Sequence, residues 1–224
     1  MKTEWEALSP DEIDLFNRNV VCRTYRAGQL IFVQGDPCRG LYFVEHGLVA
    51  VRKVNRDGQS TIVRLANQGD TLGYRPLLAK ENHRATAEVI KDVRICFIDA
   101  QTMRGLLRSN PNLGLRFLEH SARSLGEAEE RMFHVAALSV RTRIVHLLIL
   151  LSDRHGRTTS DGTLFVELPM TRRDLADMVG ARHESVSRAL REIESEGLLN
   201  LSGRTVRVDQ FDRLVDELHQ DLRL

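Results

Sequence analysis

Two short helix patterns separated by a glycine constrain the fold of this 224-residue chain more than any other feature. Thr171 and Asp174 form a capping-box pattern that begins the first helix, and Gly180 ends it. The second helix follows, with Val186 on its inner face. A small residue, Ala176, stands where the helices would cross; the glycine comes four residues later and the valine six after that. This spacing is typical of a helix-turn-helix.

The outer face of the second helix is polar. Arginine can donate two hydrogen bonds to guanine, glutamate can accept one from cytosine, and the first turn of such a helix enters the major groove. Residues 169–191 hold five arginines against three acidic residues, a net charge of +2, whereas the whole chain has 32 basic and 31 acidic residues. We expect contacts with DNA bases from His183, Glu184, Ser187 and Arg188. We expect contacts with the DNA backbone from Thr171, Arg172, Arg173, Arg182, Ser185 and Arg204.

A hairpin is predicted beyond these helices, which makes the domain winged. It runs from Leu199 to Val208 with its turn at Ser202-Gly203, and a strand over 164–168 leads into the same domain. Arg204 lies at the tip of this wing. Each arginine alone would favour a solvated helix face, but the joint pattern favours DNA.

Residues from about 20 to 100 follow a period of two, punctuated by glycine turns. A helix precedes them, with Ser9 as N-cap, Pro10 in its first turn and Glu12 completing a capping box. Short strands with regular turns predict a β-roll of the jelly-roll kind. The predicted strands are 30–33, 41–44, 48–51, 61–63 and 95–98, with a hairpin turn over 55–58.

A long helix is predicted from Pro111 to about Ala137. Its apolar and small residues alternate spacings of three and four, which is typical of a coiled-coil seam along which two copies associate. The alternative is a helix packed on the β-domain. The predicted seam is Leu118, Ser121, Leu125, Ala128, Met132 and Val135.

A helix break near Ser139 marks the next boundary, since this serine can cap a helix over 140–151; a loop over 152–162 follows. The fold class is therefore α+β in three parts. They are a β-roll sensor domain over 1–110, a dimerisation helix over 111–138 and a winged helix-turn-helix over 139–224.

Composition excludes several classes of protein. No apolar run approaches the roughly 20 residues that span a bilayer, and no signal peptide is visible, so we expect a cytoplasmic protein. Cys22, Cys38 and Cys96 are far apart, so we expect reduced thiols, neither a disulfide nor a four-cysteine iron–sulfur site. We find no paired carboxylates, nucleophile with a base, or metal-ligand spacing, and expect neither an enzyme nor a metal site.

The order of these parts resembles the family of the cyclic-AMP receptor protein and the fumarate–nitrate reduction regulator. The resemblance covers nearly the whole chain and is carried by residues 28–36, 69–73 and 171–199. It implies a homodimer that binds a near-palindromic site and contacts RNA polymerase. Glu-x-x-Ser-Arg over 184–188 resembles the recognition helix of the fumarate–nitrate branch, which implies half-sites like TTGAT. His183 departs from the receptor-protein pattern and leaves the outer base open.

The resemblance also locates an effector pocket in the cyclic-nucleotide-binding-like domain, but its residues do not favour cyclic AMP. The family's Gly-Glu stands here as Gly73-Tyr74, and Tyr74 cannot provide the carboxylate for the ribose. Glu129 replaces a base-contacting serine, and a buried carboxylate near an anionic nucleotide is unfavourable. The pocket candidates are Gly73, Tyr74, Arg75, Arg84, Ala85, Thr86, Ala128 and Glu129.

Other effectors remain open. The N-terminal cysteine cluster that holds an iron–sulfur centre in the fumarate–nitrate branch is absent. Haem would need an axial ligand, for which His83, His120 and His134 are candidates, and Cys38 is a candidate redox sensor. An unknown small molecule, or none, is the remaining alternative. The competing function is a ligand-binding regulatory module whose winged domain docks protein instead of DNA.

Overall fold

The computed structural model describes residues 4–222. The first three and last two residues, which fall in the predicted first and last domains, lie outside the described residues. The chain forms two compact units, one up to Glu127 and one from Ala128 onward. The predicted α+β class, with a β-roll first and a helix-turn-helix last, is confirmed. The three-part division stays a prediction.

The first unit is built on an antiparallel sheet of six strands. A 3₁₀ helix over Glu4–Ala7 precedes α1 (Pro10–Asn19), β1 (Val21–Tyr25), β2 (Leu30–Phe32), β3 (Gly40–Val54), β4 (Ser60–Ala66), β5 (Thr71–Leu72), α2 (Tyr74–Ala79), β6 (Thr86–Asp99), α3 (Ala100–Ser109) and α4 (Pro111–Ala137). The main strand order is β1-β6-β3-β4, while β2 pairs with β6 and β5 with β3. The helix α4 continues past the unit boundary.

Local signals in this unit form as predicted at two places. Ser9 caps α1, and Glu12 completes the capping box. In the β3–β4 turn the Asn55 side-chain oxygen accepts hydrogen bonds from the backbone N–H groups of Asp57 and Gln59 at 3.0 and 2.9 Å. Gly58 there has φ +76°, a conformation that a glycine adopts without steric cost.

The prediction of separate strands at 41–44 and 48–51 is wrong, because both lie within the single strand β3. Its register against β6 shifts between Val44 and Val49, so the glycine in between marks an irregularity and not a turn. Gly47 has φ +94°, and a Cβ there would lie 2.3 Å from the backbone oxygen of Asp92. Only glycine allows β6 to pass this closely.

The core of the first unit has two parts. One is a cluster between the strands that includes Val44, Val49 and Ile95, all buried. The other joins the sheet to the helices and includes Met103, Leu113 and Phe117. The second cluster holds α3 and the first half of α4 on the sheet.

The second unit contains the end of α4 and a four-stranded antiparallel sheet in the order β7-β8-β10-β9. Its elements after α4 are α5 (Val140–His155), β7 (Gly156–Thr158), β8 (Leu164–Glu167), α6 (Arg172–Val179), α7 (His183–Ser195), β9 (Asn200–Ser202), β10 (Thr205–Val208) and α8 (Phe211–Leu222). Ser139 caps α5 as predicted.

Two predictions for this unit need correction, and one of its helices was not predicted. The predicted loop over 152–162 begins with the last turn of α5 and then forms β7, because Gly156–Thr158 pairs with β8. The wing turn is Gly203-Arg204, one residue later than predicted, since Ser202 pairs with Thr205. The helix α8 was not predicted, nor were α2 and α3.

The prediction that all cysteines are reduced is wrong for two of them. Cys22 and Cys96 form a disulfide across β1 and β6, with their Cα atoms 4.0 Å apart. The strand register places the two residues directly opposite each other, which their separation of 74 positions in the sequence conceals. Cys38 is free.

Candidate functional site

The helix-turn-helix begins at a capping box. The Thr171 hydroxyl accepts a hydrogen bond from the backbone N–H of Asp174, and the Asp174 carboxylate accepts one from the backbone N–H of Thr171 at 3.0 Å. The threonine hydroxyl also donates to this carboxylate at 2.7 Å. These bonds satisfy N–H groups that the first turn of a helix otherwise leaves open. They define where α6 begins.

The turn between α6 and α7 depends on Gly180. This residue has φ +65° and ends α6 in the left-handed conformation. A Cβ at this position would lie 3.1 Å from the Val135 side chain at the end of α4. The Gly180 carbonyl oxygen also accepts a hydrogen bond from Arg143 of α5 at 3.3 Å. The turn is therefore held by two other helices of the second unit.

The apolar faces of α6 and α7 are buried, as predicted. Leu175 and Ala176 of α6 and Val186 and Ile193 of α7 are all almost inaccessible to solvent. This packing leaves the opposite face of α7 in solvent. His183, Glu184 and Arg188 are exposed, and Ser185 and Ser187 are half-buried.

The N-terminus of α7 has no capping side chain. Arg182 stands at the N-cap, and its side chain makes no cap hydrogen bond. The N–H groups of the first turn and the helix dipole together favour a negatively charged ligand such as a phosphate. At α6 the Thr171 hydroxyl is instead engaged with Asp174, which leaves the neighbouring arginines as donors.

The arginines of the second unit fall into two groups. Several are bonded within the protein: Arg141 forms a two-point ion pair with Glu196, Arg191 donates to the Ser187 carbonyl, and Arg207 pairs with Asp209. A second group, at α6, α7 and the β9–β10 turn, has exposed side chains that make no hydrogen bond or ion pair with any residue that the structure describes. These are Arg172, Arg173, Arg182, Arg188 and Arg204.

These five arginines are the ones that the sequence predicts to contact DNA. Two lie in the first turn of α6, one at the N-cap of α7, one in the second turn of α7 and one in the β9–β10 turn. Because no carboxylate of the described part of the chain pairs with these five guanidinium groups, their positive charge is available to a polyanion. The exposed Arg157 of β7, whose side chain also makes no hydrogen bond or ion pair with a described residue, lies over the Phe165 ring instead, 6.0 Å from its centroid.

In the first unit, Tyr74 of α2 faces α4. Its hydroxyl lies 3.0 Å from the Ser124 hydroxyl, and its ring packs edge-on against His120 with centroids 4.5 Å apart. His120 in turn pairs through Nδ1 with the buried carboxylate of Glu4 at 2.5 Å. Burial raises the pKa of Glu4, but the hydrogen bond from His120 and its charge more than offset this, so the pKa lies below its usual value.

The arginines of the predicted effector pocket are occupied. Arg75 and Arg84 both pair with Glu81, at 3.4 and 2.9 Å. The Thr86 hydroxyl accepts a hydrogen bond from the backbone N–H of Gln34 at 3.0 Å. Gly73 and Ala85 lie in the same unit, whereas Ala128 and the exposed Glu129 belong to the second unit.

The candidate haem ligands do not form one group. His83 is buried and stacks on Phe32 with ring centroids 3.8 Å apart, and His120 pairs with Glu4. His134 lies in the second unit and pairs with Glu130 at 3.1 Å. Burial lowers the pKa of His83.

The surroundings of the cysteines disfavour both a reactive thiolate and a metal site. Burial raises the pKa of the Cys38 thiol, which disfavours the reactive thiolate. Within residues 4–222, one group of three potential metal ligands lies within 4.8 Å of one another, namely Cys22, Glu45 and Cys96. The two cysteines are joined in a disulfide and so offer no thiolate.

The predicted seam on α4 lies on an exposed face. Leu118, Leu125 and Met132 are 64%, 60% and 73% exposed, and Val135 is 51% exposed. The smaller members, Ser121 and Ala128, are half-buried. Among the helices that the structure describes, none has the length and apolar character needed to cross a membrane.

Two family profiles match this chain in the order of its two units. The cyclic nucleotide-binding domain matches residues 22–110, and the Crp-like helix-turn-helix domain matches residues 142–217. The chain belongs to the Crp/Fnr family. It is a DNA-binding transcription regulator of that family, with a domain of the cyclic nucleotide-binding type.

Relatives from both branches of the Crp/Fnr family resemble the chain over most of its length. It is 24% identical over 210 residues to a CRP-like cAMP-activated global transcriptional regulator of Mycobacterium tuberculosis, covering 94% of this chain and 93% of that one. It is 29% identical over 203 residues to the transcriptional activator protein FnrL of Cereibacter sphaeroides, covering 89% and 81%. The solved structure of FixK2 from Bradyrhizobium japonicum matches with a TM-score of 0.75 and 26% identity, covering 88% and 96%.

Sequence reasoning missed the contacts that tie this Crp/Fnr sensor domain together. Glu81, which takes both pocket arginines, and Ser124, which meets Tyr74, were not candidates. The pairing of Glu4 with His120 was also missed, since 116 positions separate them. The one usable signal was the Glu81-to-Arg84 spacing, which suits an ion pair across a short turn.

Proposed function

We propose that this regulator acts as a homodimer that recognises TTGAT-like half-sites through α7, and that an effector modulates it through the β-roll. The observation that carries the proposal is the set of five exposed arginines at α6, α7 and the wing whose side chains have no hydrogen-bond or ion-pair partner within residues 4–222. Glu184, Ser187 and Arg188 supply the Glu-x-x-Ser-Arg face toward the bases, with His183 beside them.

Each of the contacts has a separate role. Arg188 would donate to guanine in the major groove, and Glu184 would accept from cytosine. Arg172, Arg173, Arg182 and Arg204, with Thr171 and Ser185, would bind phosphates and set the register of α7 without specifying sequence. RNA polymerase is the expected second partner, as the family resemblance implies.

A gel-shift titration on a TTGAT palindrome tests the proposal. Arg188→Ala should lose about 1–3 kcal/mol of discrimination per half-site between this palindrome and a scrambled duplex. Arg191→Ala is the matched control, because it removes the same charge from the same helix at a side chain already bonded to the Ser187 carbonyl. Equal loss on both duplexes for Arg188→Ala would contradict its role with bases.

Salt dependence tests the phosphate contacts. Arg172→Ala should weaken binding to both duplexes alike and, in a dimer, remove two phosphate contacts. The slope of log affinity against log salt should then fall by about 2. Absence of binding even at low salt, with or without candidate ligands, would instead favour a winged domain that docks protein.

Dimerisation rests on the exposed seam of α4. Its six residues alternate spacings of three and four, and the four large apolar ones among them form an exposed stripe that a second copy would cover. Leu125→Glu should give monomers in sedimentation velocity, because it places a charge in the centre of the seam. Arg123→Glu, on the same helix away from the seam, should leave the dimer intact; a dimeric Leu125→Glu protein would refute this register.

The effector is proposed not to be cyclic AMP. A cyclic phosphate at Arg84 would have to displace Glu81, and Tyr74 offers no carboxylate to a ribose and already meets Ser124. Isothermal titration with cyclic AMP should therefore give no binding heat at micromolar concentrations. An absorbance spectrum and a native mass spectrum of the purified protein would detect haem, metal or a retained small molecule.

A further inference from the structure

The disulfide between Cys22 and Cys96 lies in the sensor unit and involves none of the predicted effector-pocket residues. Five residue pairs join β1 and β6, from Val21 opposite Phe97 to Tyr25 opposite Val93, and the cysteines form the second of these pairs. Residues directly opposite in an antiparallel ladder hold their side chains on the same face. The two sulfur atoms therefore meet whenever β1 is in register.

One end of this disulfide can be reached from solvent. The strand β1 is at the edge of the sheet and pairs with β6 alone. Val21, Arg23 and Thr24 are exposed and Cys22 is partly exposed, whereas Cys96 is 8% exposed. Cys22 is therefore the more accessible of the two cysteines to an external thiol.

The buried sulfur has a polar neighbour. Glu45 of β3 places a carboxylate oxygen 3.8 Å from Cys96 Sγ, and the same carboxylate pairs with Arg94. After reduction, this carboxylate can accept a hydrogen bond from the Cys96 thiol. A reduced state of the pair is thus accommodated without leaving a buried thiol unpartnered.

We propose that Cys22 and Cys96 form a reversible thiol–disulfide site that exchanges with small thiols of the glutathione type and makes the sensor unit responsive to redox state. In reduction, a glutathione thiolate attacks Cys22 Sγ, the disulfide breaks, and Cys96 leaves and takes up a proton. A second glutathione thiolate attacks the mixed disulfide, which releases oxidised glutathione and leaves Cys22 as a thiolate that takes up a proton.

Oxidation is the reverse, with oxidised glutathione as the oxidant. Cys22 as thiolate attacks it, forms the mixed disulfide and releases one glutathione. Cys96 then loses its proton and attacks Cys22 Sγ, which releases the second glutathione. Two thiols and one oxidised glutathione thus give one protein disulfide and two reduced glutathiones.

The state of this site determines how firmly β1 is held. In the oxidised protein a covalent bond fixes the edge strand to β6; in the reduced protein only the ladder hydrogen bonds hold it. The strand follows α1, which itself follows the 3₁₀ helix. The 3₁₀ helix contacts α4 through Glu4 with His120 and Trp5 with Phe117. Reduction therefore loosens the N-terminal segment that packs on the first half of α4.

The test uses the full chain carrying Cys38→Ser, which leaves this pair as its sole cysteines. The protein is equilibrated in glutathione buffers whose poise spans the cytosolic range, trapped with an alkylating reagent and weighed by mass spectrometry. We expect both thiols to convert together, with the midpoint inside this range. A pair that stays oxidised throughout, or stays reduced throughout, overturns the proposal.

Two further measurements distinguish the roles of the sulfurs and of the strand. Cys96→Ser should take up one glutathione at Cys22, and Cys22→Ser should take up little at Cys96; the opposite order overturns the assigned path of attack. In the protein with both cysteines, amides of β1 should exchange hydrogen at least about tenfold faster when reduced, while the β3–β4 hairpin is unchanged. Equal exchange in both states would overturn the coupling to β1.

Discussion

Replacing Gly180 by alanine tests whether the turn of the helix-turn-helix is held by its contact with α4. With φ +65°, an alanine here pays the left-handed penalty of about 1–2 kcal/mol. Its Cβ would also lie 3.1 Å from a Val135 methyl group, so that side chain must move by a few tenths of an ångström. We expect this crowding to add about 1 kcal/mol.

Gly197→Ala is the matched control. Gly197 has φ +72° in the same unit, but a Cβ there meets nothing within 4 Å, so only the backbone penalty applies. The difference between the two variants therefore isolates the contact with Val135. In a double-mutant cycle, Val135→Ala should remove this difference.

Hydrogen exchange of the α6 and α7 amides measures the effect within the second unit. The only tryptophan, Trp5, and all three tyrosines, Tyr25, Tyr42 and Tyr74, lie in the first unit, so their fluorescence serves as an internal control. We expect exchange to quicken in both variants, and about fivefold more in Gly180→Ala than in Gly197→Ala. Equal losses would refute the argument that Val135 supports the turn.

Three further predictions concern stability. Because burial places the folded-state pKa of His83 below the unfolded value of 6.5, its contribution is fully present above that value and is lost as pH falls below it. The free energy of unfolding, measured with urea, should therefore depend less on pH in His83→Phe on the acid side, where one histidine contributes a slope of at most about 1.4 kcal/mol per pH unit. An unchanged slope would count against this assignment. Phe117→Ala should cost about 3–5 kcal/mol in the Trp5 fluorescence transition, since this ring is 2% exposed and packs on Trp5; a loss below 1 kcal/mol would contradict the packing. Thr171→Ala should cost about 1 kcal/mol in exchange of the α6 amides, and Thr171→Ser should restore most of it if the hydroxyl is the cap.

The helix-turn-helix could be predicted closely because its signals are local. The Thr171 capping box, the left-handed Gly180 and the spacing to Val186 all act within about one turn of their own helices. The predicted position of the wing turn differs from the observed one by one residue, because the register of a hairpin is set by the pairing of its two strands and not by its glycine alone. The same reason explains why Gly47 was mistaken for a turn when it lies within β3.

The sensor domain could be predicted only in outline. Its strands follow from periodicity, but the periodicity does not show which side chains Tyr74 and Arg84 contact. Ser124 meets Tyr74 from α4, and Glu81 takes Arg75 together with Arg84. These contacts decide whether a pocket residue is available to a ligand, and among them only the Glu81-to-Arg84 pair has a spacing in the sequence that suggests it.

The amino-acid sequence alone determined the helix-turn-helix, because caps, left-handed glycines and inward-facing apolar residues act over a few positions. Tertiary structure decided what the side chains around it are free to do. It left Arg188 exposed and engaged Arg191 with a carbonyl on the same helix, and it brought Cys22 against Cys96 across 74 positions. Which side chains contact each other depends on strand register and helix packing, and these depend on residues throughout the domain.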